Sequence, residues 1–370
     1  MSKHNHFTLD ELIRSRLKNQ QIAGTRFERA EDVVRWMGAV QAQDFTAAKW
    51  AVGQRTKTPN EAEVEQEFKD GKILRTHVMR PTWHFVLPED IRWMLKLSAP
   101  RIHAASAYYL RQLKLDAAVL KRSNAVIERA LRGGKQLTRD ELGTALKKAN
   151  IPAIDLRLTF IVMHAELEGV ICSGARRGKQ FTYALLDERA PKAKSLKREE
   201  ALAELTLRYF RSHGPATLQD FVWWSGLTKA DAKAGLEMVK TQIRCEDVNQ
   251  QSYWSCDSGL PVLKETTPSA YLLSNYDEYI VGYADRSAIH DETHNPKLDG
   301  RGSVLFMHTI LINGRIAGTW KRTIKAKAVE MELHPFEPLT RTETPALNNA
   351  VKRFGEFVGS KPLIYRDNKI

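Results

Sequence analysis

The chain has 370 residues and a formal charge of +13, from 57 lysines and arginines against 44 aspartates and glutamates. At about 100–200 residues per domain, that length calls for two or more folding units, and 42% hydrophobic with 27% charged residues excludes wholesale disorder. No apolar run approaches the roughly 20 residues of a membrane span, Met1 to His6 has no apolar stretch behind it and does not read as a secretory signal, and Cys172, Cys245 and Cys256 form no CxxC pair, which suits reduced thiols in the cytoplasm.

In chain order, the first helix signal is Thr8-Leu9-Asp10-Glu11, a hydroxyl with a carboxylate three residues on, followed by an apolar stripe at Leu9, Leu12, Ile13 and Leu17. Glu28 to Val40 reads as a helix and Thr46 to Val52 as the next, with Gln41 and Gln43 at the junction. Leu74 to Val86 is dense in polar and aromatic residues near strand formers. A helix from Ala125 to Leu131 closes at Gly133-Gly134, and Thr138-Arg139-Asp140-Glu141 repeats the capping box. A short helix at Asn150-Ile151-Pro152, a helix from Leu156 to Leu167, and strands at Gly169–Cys172 and Gln180–Leu185 follow. The order is that of a winged helix-turn-helix, with the Gly-flanked turn carrying Arg176, Arg177 and Lys179 as the wing tip.

The same grammar then recurs. Leu202 to Arg211, Thr217 to Trp224 and Thr228 to Lys240 read as helices, with Gly226 at the turn and strands at Ile243–Val248 and Ser252–Ser255. Trp223 and Trp224 read as packing residues on the middle helix. Beyond residue 266, strand-like runs appear at Tyr271–Leu273, Tyr279–Val281, Val304–Met307, His308–Ile312, Arg315–Trp320 and Ala328–Leu333, with the hairpin signal Asn313-Gly314. Thr344 to Val358 makes a terminal helix, and Asp291 to Gly302 a polar, mobile loop. The expected fold is α+β: tandem winged helix-turn-helix units followed by a small C-terminal β-barrel. The expected boundaries are 1–118, 119–198, 199–265 and 266–370.

The positive charge favours a polyanion: DNA, RNA or an acidic membrane. Several winged helices in a basic chain narrow that to double-stranded DNA. There is no GxxxxGK[ST], HExxH or GxSxG, and no Cys/His metal spacing; His77 and His84, seven apart, carry no metal logic. No cofactor or metal is therefore expected. Gln41 and Gln43 can present their amides together only if the helix ends before them, because residues two apart on a helix point to opposite sides. The segment around Met79-Arg80-Pro81-Thr82-Trp83-His84 is placed to line a pocket with them, making Thr82, Trp83 and His84 candidate lining residues. Asp44 is either an electrostatic partner of that pocket or the cap of the next helix, and the cap is favoured.

Gln41-Ala42-Gln43, the Met79–His84 segment, Asn275-Tyr276-Asp277-Glu278-Tyr279, Gly282-Tyr283-Ala284-Asp285-Arg286-Ser287 and Ala317-Gly318-Thr319-Trp320 occur in an order that resembles the AlkZ-like DNA glycosylases, which unhook interstrand crosslinks. The resemblance covers nearly the whole chain. It implies a C-shaped DNA clamp of winged helices and a β-barrel, removal of N-alkylated purines, and Gln41 and Gln43 as the catalytic pair.

An N7-alkylated purine is cationic and a ready leaving group, so glutamine carbonyl oxygens suffice to orient water and face the developing positive charge on the sugar. No lysine stands out as a Schiff-base nucleophile, so strand cleavage is not expected. Arg176, Arg177, Lys179, Lys321 and Arg322 are the expected DNA contacts. Asp277, Glu278, Asp285 and Arg286 form either a buried ion-pair network or a border of the site. A monomer in the cytoplasm, on the nucleoid of a bacterium, completes the expectation. A non-catalytic winged-helix regulator or an RNA-binding protein are the competing readings.

Overall fold

A computed structural model describes residues 8–24, 26–248, 250–256, 268–290 and 304–366. The expected loop Asp291 to Gly302 lies outside the described residues.

The first part of the chain runs α1 (Leu9–Asn19), α2 (Ala30–Met37), β1 (Val40–Gln41), α3 (Phe45–Gly53), α4 (Glu61–Lys69), β2 (Leu74–His77), β3 (Trp83–Val86) and α5 (Ile91–Gln112). Helix α2 is shorter than Glu28 to Val40. Gly38 ends it at φ +80, a conformation that favours glycine, and its N–H bonds back to the Val34 carbonyl. The chain then turns into a short antiparallel sheet of order β1-β3-β2, with Gln41 opposite His84.

The second unit is α6 (Ala117–Leu131), β4 (Leu137–Thr138), α7 (Arg139–Lys148), α8 (Asp155–Leu167), β5 (Ile171–Ser173) and β6 (Thr182–Leu185), followed by the turn α9 (Leu186–Arg189). Its sheet has order β4-β6-β5. The expected helix at Asn150-Ile151-Pro152 does not form: Asn150 sits at φ +55, and the residue before a proline is driven away from helical backbone. The third unit is α10 (Arg198–Ser212), α11 (Leu218–Ser225), α12 (Lys229–Val239) and the hairpin β7 (Arg244–Val248) and β8 (Gln251–Ser255). Gly226 ends α11 at φ +68, where an added Cβ would lie 2.6 Å from the Met79 carbonyl oxygen. The turn therefore presses directly on the segment leading to Arg80.

The C-terminal part comprises β9 (Ala270–Leu273), α13 (Glu278–Val281), β10 (Thr309–Ile312), β11 (Arg315–Ile324), β12 (Ala328–Pro335), α14 (Glu343–Phe357) and β13 (Lys361–Arg366). Two expected strands are different elements. Tyr279–Val281 lies in the helical turn α13, capped by Asp277, and Val304–Phe306 is a single 3-10 turn. The sheet order is β13-β12-β11-β10-β9, with only β12 and β13 parallel. Its edge strands β9 and β13 do not pair among the described residues, so the expected small β-barrel takes the form of a curled half-barrel.

Strand alternation gives this sheet two apolar faces. One face, with Ile310, Trp320, Met331 and Leu333, packs on Trp50 of α3 and on Leu347, Val351 and Phe354 of α14. The other, with Leu273, Leu311 and Ile316, packs on Leu12, Ile13 and Leu17 of α1. The two ends of the chain are thereby joined.

Candidate active site

The break after α2 meets the condition that the glutamine pair sets. Gln41 ends strand β1 and Gln43 lies just before α3, with the backbone between them fixed at three points. Gln41 N–H donates to Glu278 Oε1 at 2.6 Å. Ala42 N–H donates to the Trp83 carbonyl at 2.7 Å, and the Ala42 carbonyl accepts from Arg75 Nε at 3.0 Å. Trp83 N–H points at Gln43 Oε1 at 3.4 Å.

The two side chains have different surroundings. Gln41 is buried, 7% exposed, and its Oε1 accepts from Arg80 Nη2 at 2.8 Å. Arginine only donates, so this contact fixes which end of the amide faces it and leaves the Gln41 NH2 as a donor. Gln43 is exposed. The pair thus offers one held amide and one open amide.

Behind Gln41 lies a buried carboxylate. Glu278 Oε2 accepts from Trp224 Nε1 at 2.9 Å and from His213 Nε2 at 3.3 Å. Burial pushes its carboxyl up, but the bonds from His213 and from Gln41 N–H more than offset this, and the group stays below the usual range, ionised. Burial lowers Arg80, and Glu278 counters that by favouring its charge. The Arg80 guanidinium also lies 5.7 Å from the Trp223 ring centre. Cation and anion are thus balanced around the Gln41 amide.

Asp44 caps α3, its Oδ1 accepting from Ala47 N–H at 3.0 Å. Its other oxygen faces Asn275 Nδ2 at 3.5 Å. Asn275 N–H donates to His308 Nδ1 at 2.9 Å, and Arg322 Nη1 lies 3.1 Å from His308 Nε2. Burial, reinforced by Arg322, lowers His308 to about 4, so it is neutral at pH 7. Arg322 is half-buried against Trp320 and Phe354 and feels the Asp44 carboxylate. It belongs to this polar chain beside Gln43, whereas Lys321 stands exposed on β11.

His84 is fully buried in the three-stranded sheet, and burial drives it down to about 3. Its Nδ1 meets the Thr82 carbonyl at 3.0 Å, while its Nε2 and the Thr82 hydroxyl have no hydrogen-bond partner among the described residues. It is a neutral residue of the sheet interior, opposite Gln41 in the strand pairing. Trp83 is half-buried, with the Arg75 guanidinium 4.2 Å from its ring centre and the His77 ring 4.2 Å away. Trp83, Arg75, Arg139, Lys179 and Phe181 border one cleft of about 270 Å³. The structure thus brings Lys179 of the second unit to Trp83 of the first.

Of the basic turn, Lys179 and Arg177 are exposed, Arg177 bonding Glu141 at 2.8 Å. Arg176 departs from the expected wing-tip position. It folds back onto Glu65 at 3.1 Å, with the Phe45 and Phe181 rings beside it. Aromatic faces and a carboxylate there outweigh solvation of the guanidinium. Of the C-terminal acidic segment, Asp277 makes the expected buried pair, with Arg55 at 2.8 Å. Asp285 and Arg286 stay out of that pair: Asp285 caps Ser287, and Arg286 bonds the Ile280 and Ala284 carbonyls. Trp224 is buried as expected, and Trp223 is 38% exposed.

The sequence reading gave Arg80, His213, Asn275 and His308 no role. Arg80 was visible within the Met79–His84 segment and Asn275 within Asn275–Tyr279; His213 and His308 carry no spacing signal, because only the fold brings them to the site.

A buried polar shell thus holds Gln41, Gln43 lies exposed, and the cleft at Trp83 carries Arg75, Arg139 and Lys179. A family model of the AlkZ-like DNA glycosylases matches residues 34–357. The chain belongs to that family, whose members hydrolyse N-glycosyl bonds in DNA. An interstrand DNA cross-link repair glycosylase from Streptomyces sahachiroi is 25% identical over 338 residues, which is 86% of this chain and 88% of that protein. The solved structure of Streptomyces sahachiroi DNA glycosylase AlkZ shares the fold, with a TM-score of 0.80 at 20% identity over 98% of this chain and 100% of that one. No helix among the described residues is long and apolar enough to cross a membrane.

Proposed function

We propose that the chain is a monofunctional glycosylase for N-alkylated, cationic purines in double-stranded DNA, of the N7-alkylguanine type and including interstrand crosslinks. The observation that carries this is the Gln41 amide, fixed by Arg80 and backed by the Glu278 carboxylate, next to the open amide of Gln43. Gln41 and Gln43 are the catalytic residues; Arg80 and Glu278 are positioning residues.

The C1′–N9 bond breaks with its electron pair going to the purine, which leaves neutral. Water adds to C1′ and loses its proton to solvent. The Gln43 carbonyl oxygen orients that water and faces the oxocarbenium-like sugar, while the Glu278 charge behind Gln41 keeps the site from being net cationic. The reaction takes only water.

The second and third units serve as winged helices in a C-shaped clamp on duplex DNA, the half-barrel closing its far side. A single lesion needs one such clamp, so the working form is a monomer, on the nucleoid of a bacterium. Arg177 and Lys179 at the basic turn and Lys321 on β11 meet phosphates.

The test is release of N7-methylguanine from methylated duplex DNA. The Gln41→Ala/Gln43→Ala double variant is expected to lose roughly 10²–10³-fold in rate, the scale of removing preorganised polar groups from a reaction site. Equal release by wild type and variant overturns the assignment of the pair.

A further inference from the structure

Helices α5 and α8 cross at a cluster that the glycosylase reading leaves unused. His103 is on α5. His164 and Glu168 lie four residues apart at the end of α8, so they share one face of the helix. One ligand atom from each of the three lies within 4.8 Å of the others. His103 Nε2 is 2.9 Å from Glu168 Oε1, and His164 Nε2 is 3.8 Å from the same oxygen. The two imidazole centres are 5.3 Å apart.

Ligands about 2.0–2.1 Å from a tetrahedral zinc ion stand roughly 3.3 Å from one another. The observed separations bracket that value, so side-chain rotations alone bring the three atoms to one centre. Both histidines are half-buried and Glu168 is exposed, which leaves a path for an ion to enter. The turn behind Glu168 is fixed: Gly169 sits at φ +68, and Glu168 N–H bonds the His164 carbonyl at 2.9 Å.

We propose that His103, His164 and Glu168 form a binding site for one divalent transition-metal ion of the zinc class, completed by water, which fastens α5 to α8. Two imidazoles and a carboxylate suit zinc, and cobalt(II) substitutes as a coloured probe. The position gives the ion a structural purpose. Pro100 lies inside α5 one turn before His103 and, having no N–H, leaves out a helical hydrogen bond there. On α8, Glu166 accepts from His77 Nδ1 at 2.6 Å, and the His77 ring lies against Trp83. An ion at this crossing ties a weakened helix to the one that braces the cleft.

The experiment uses the full chain carrying His4→Ala and His6→Ala, which removes competing histidines near the N-terminus, after chelation and dialysis. One equivalent of Co²⁺ is expected to give visible d–d absorption that Zn²⁺ abolishes, and Zn²⁺ is expected to raise the thermal midpoint by several degrees. His103→Ala/His164→Ala is expected to lose both responses while keeping the far-ultraviolet circular dichroism of the metal-free parent. Base release is expected to persist in the metal-free protein, since the ion is structural. The proposal is overturned if the parent binds no Co²⁺, if the double variant binds as much, or if removing the metal stops base release.

Discussion

The second and third units share an order of three helices and a closing hairpin but pack in different ways. The second keeps its own apolar core, in which Leu120, Ile127, Leu142 and Ile161 pack together, and holds Arg177 and Lys179 out to solvent. The third is built into the body of the protein. Tyr209, Phe210, Phe221 and Trp224 join a core that includes Leu74 and Met79 of the first part. Its side chains also grip α13: Trp224 bonds the Glu278 carboxylate, Trp223 the Val281 carbonyl and Tyr209 the Gly282 carbonyl. Its hairpin carries Glu246 and Asp247 where the second unit's turn carries cations. A repeated order of elements therefore does not imply repeated packing: the two units differ in the side chains on their free faces and in the cores they join.

That contrast can be broken most severely at α13. Asp277→Ala leaves Arg55 buried and unpaired, and should cost about 3–5 kcal/mol. Urea unfolding measures this loss, and a change below about 1 kcal/mol would deny α13 its place as the anchor.

Acid should separate the two regions next. His84, in the sheet beside the third unit, is held neutral down to about pH 3, whereas in the unfolded chain it takes a proton near its ordinary value of 6.5. The unfolded state then binds more protons, so stability is full above about pH 6.5 and is lost as pH falls toward 3, by about 1.4 kcal/mol per unit for this group. Burial lowers His213 too and adds in the same direction. Unfolding midpoints at pH 7.5 and 5.5 are expected to differ in wild type and to differ less in His84→Asn. An identical acid loss in both proteins would remove His84 as the source.

The smallest effect on stability belongs to the second unit. Arg177→Ala/Lys179→Ala should leave the unfolding free energy within about 0.5 kcal/mol. The same variant should reduce the salt dependence of duplex binding by about 1.8 in log–log slope, the share of two phosphate contacts. An unchanged slope would place the DNA contacts elsewhere.

What could be read in advance follows the same division between local and assembled features. The boxes at Thr8 and Thr138 both cap helices as their residue types require, and Asn313-Gly314 turns β10 into β11. These signals act over three or four residues. Tyr279–Val281 misled because a short β-branched and aromatic run fits a strand or a buried helical turn equally well; Asp277 capping the turn decided it. Strand β13 is absent from the sequence reading because Lys361-Pro362 dilutes its pattern, and its pairing with β12 comes only after α14 returns the chain. At the site, Gln41 and Gln43 were legible as a pair, but their unequal burial was not, since it depends on Arg80 and Glu278 arriving from elsewhere in the chain.

The bond from Gln41 N–H to Glu278 spans 237 residues. On the ribosome, the glutamine pair emerges long before the carboxylate that backs it, and the C-terminal sheet that seats α1 emerges later still. A nascent or prematurely terminated chain therefore carries both glutamines without the shell that fixes Gln41.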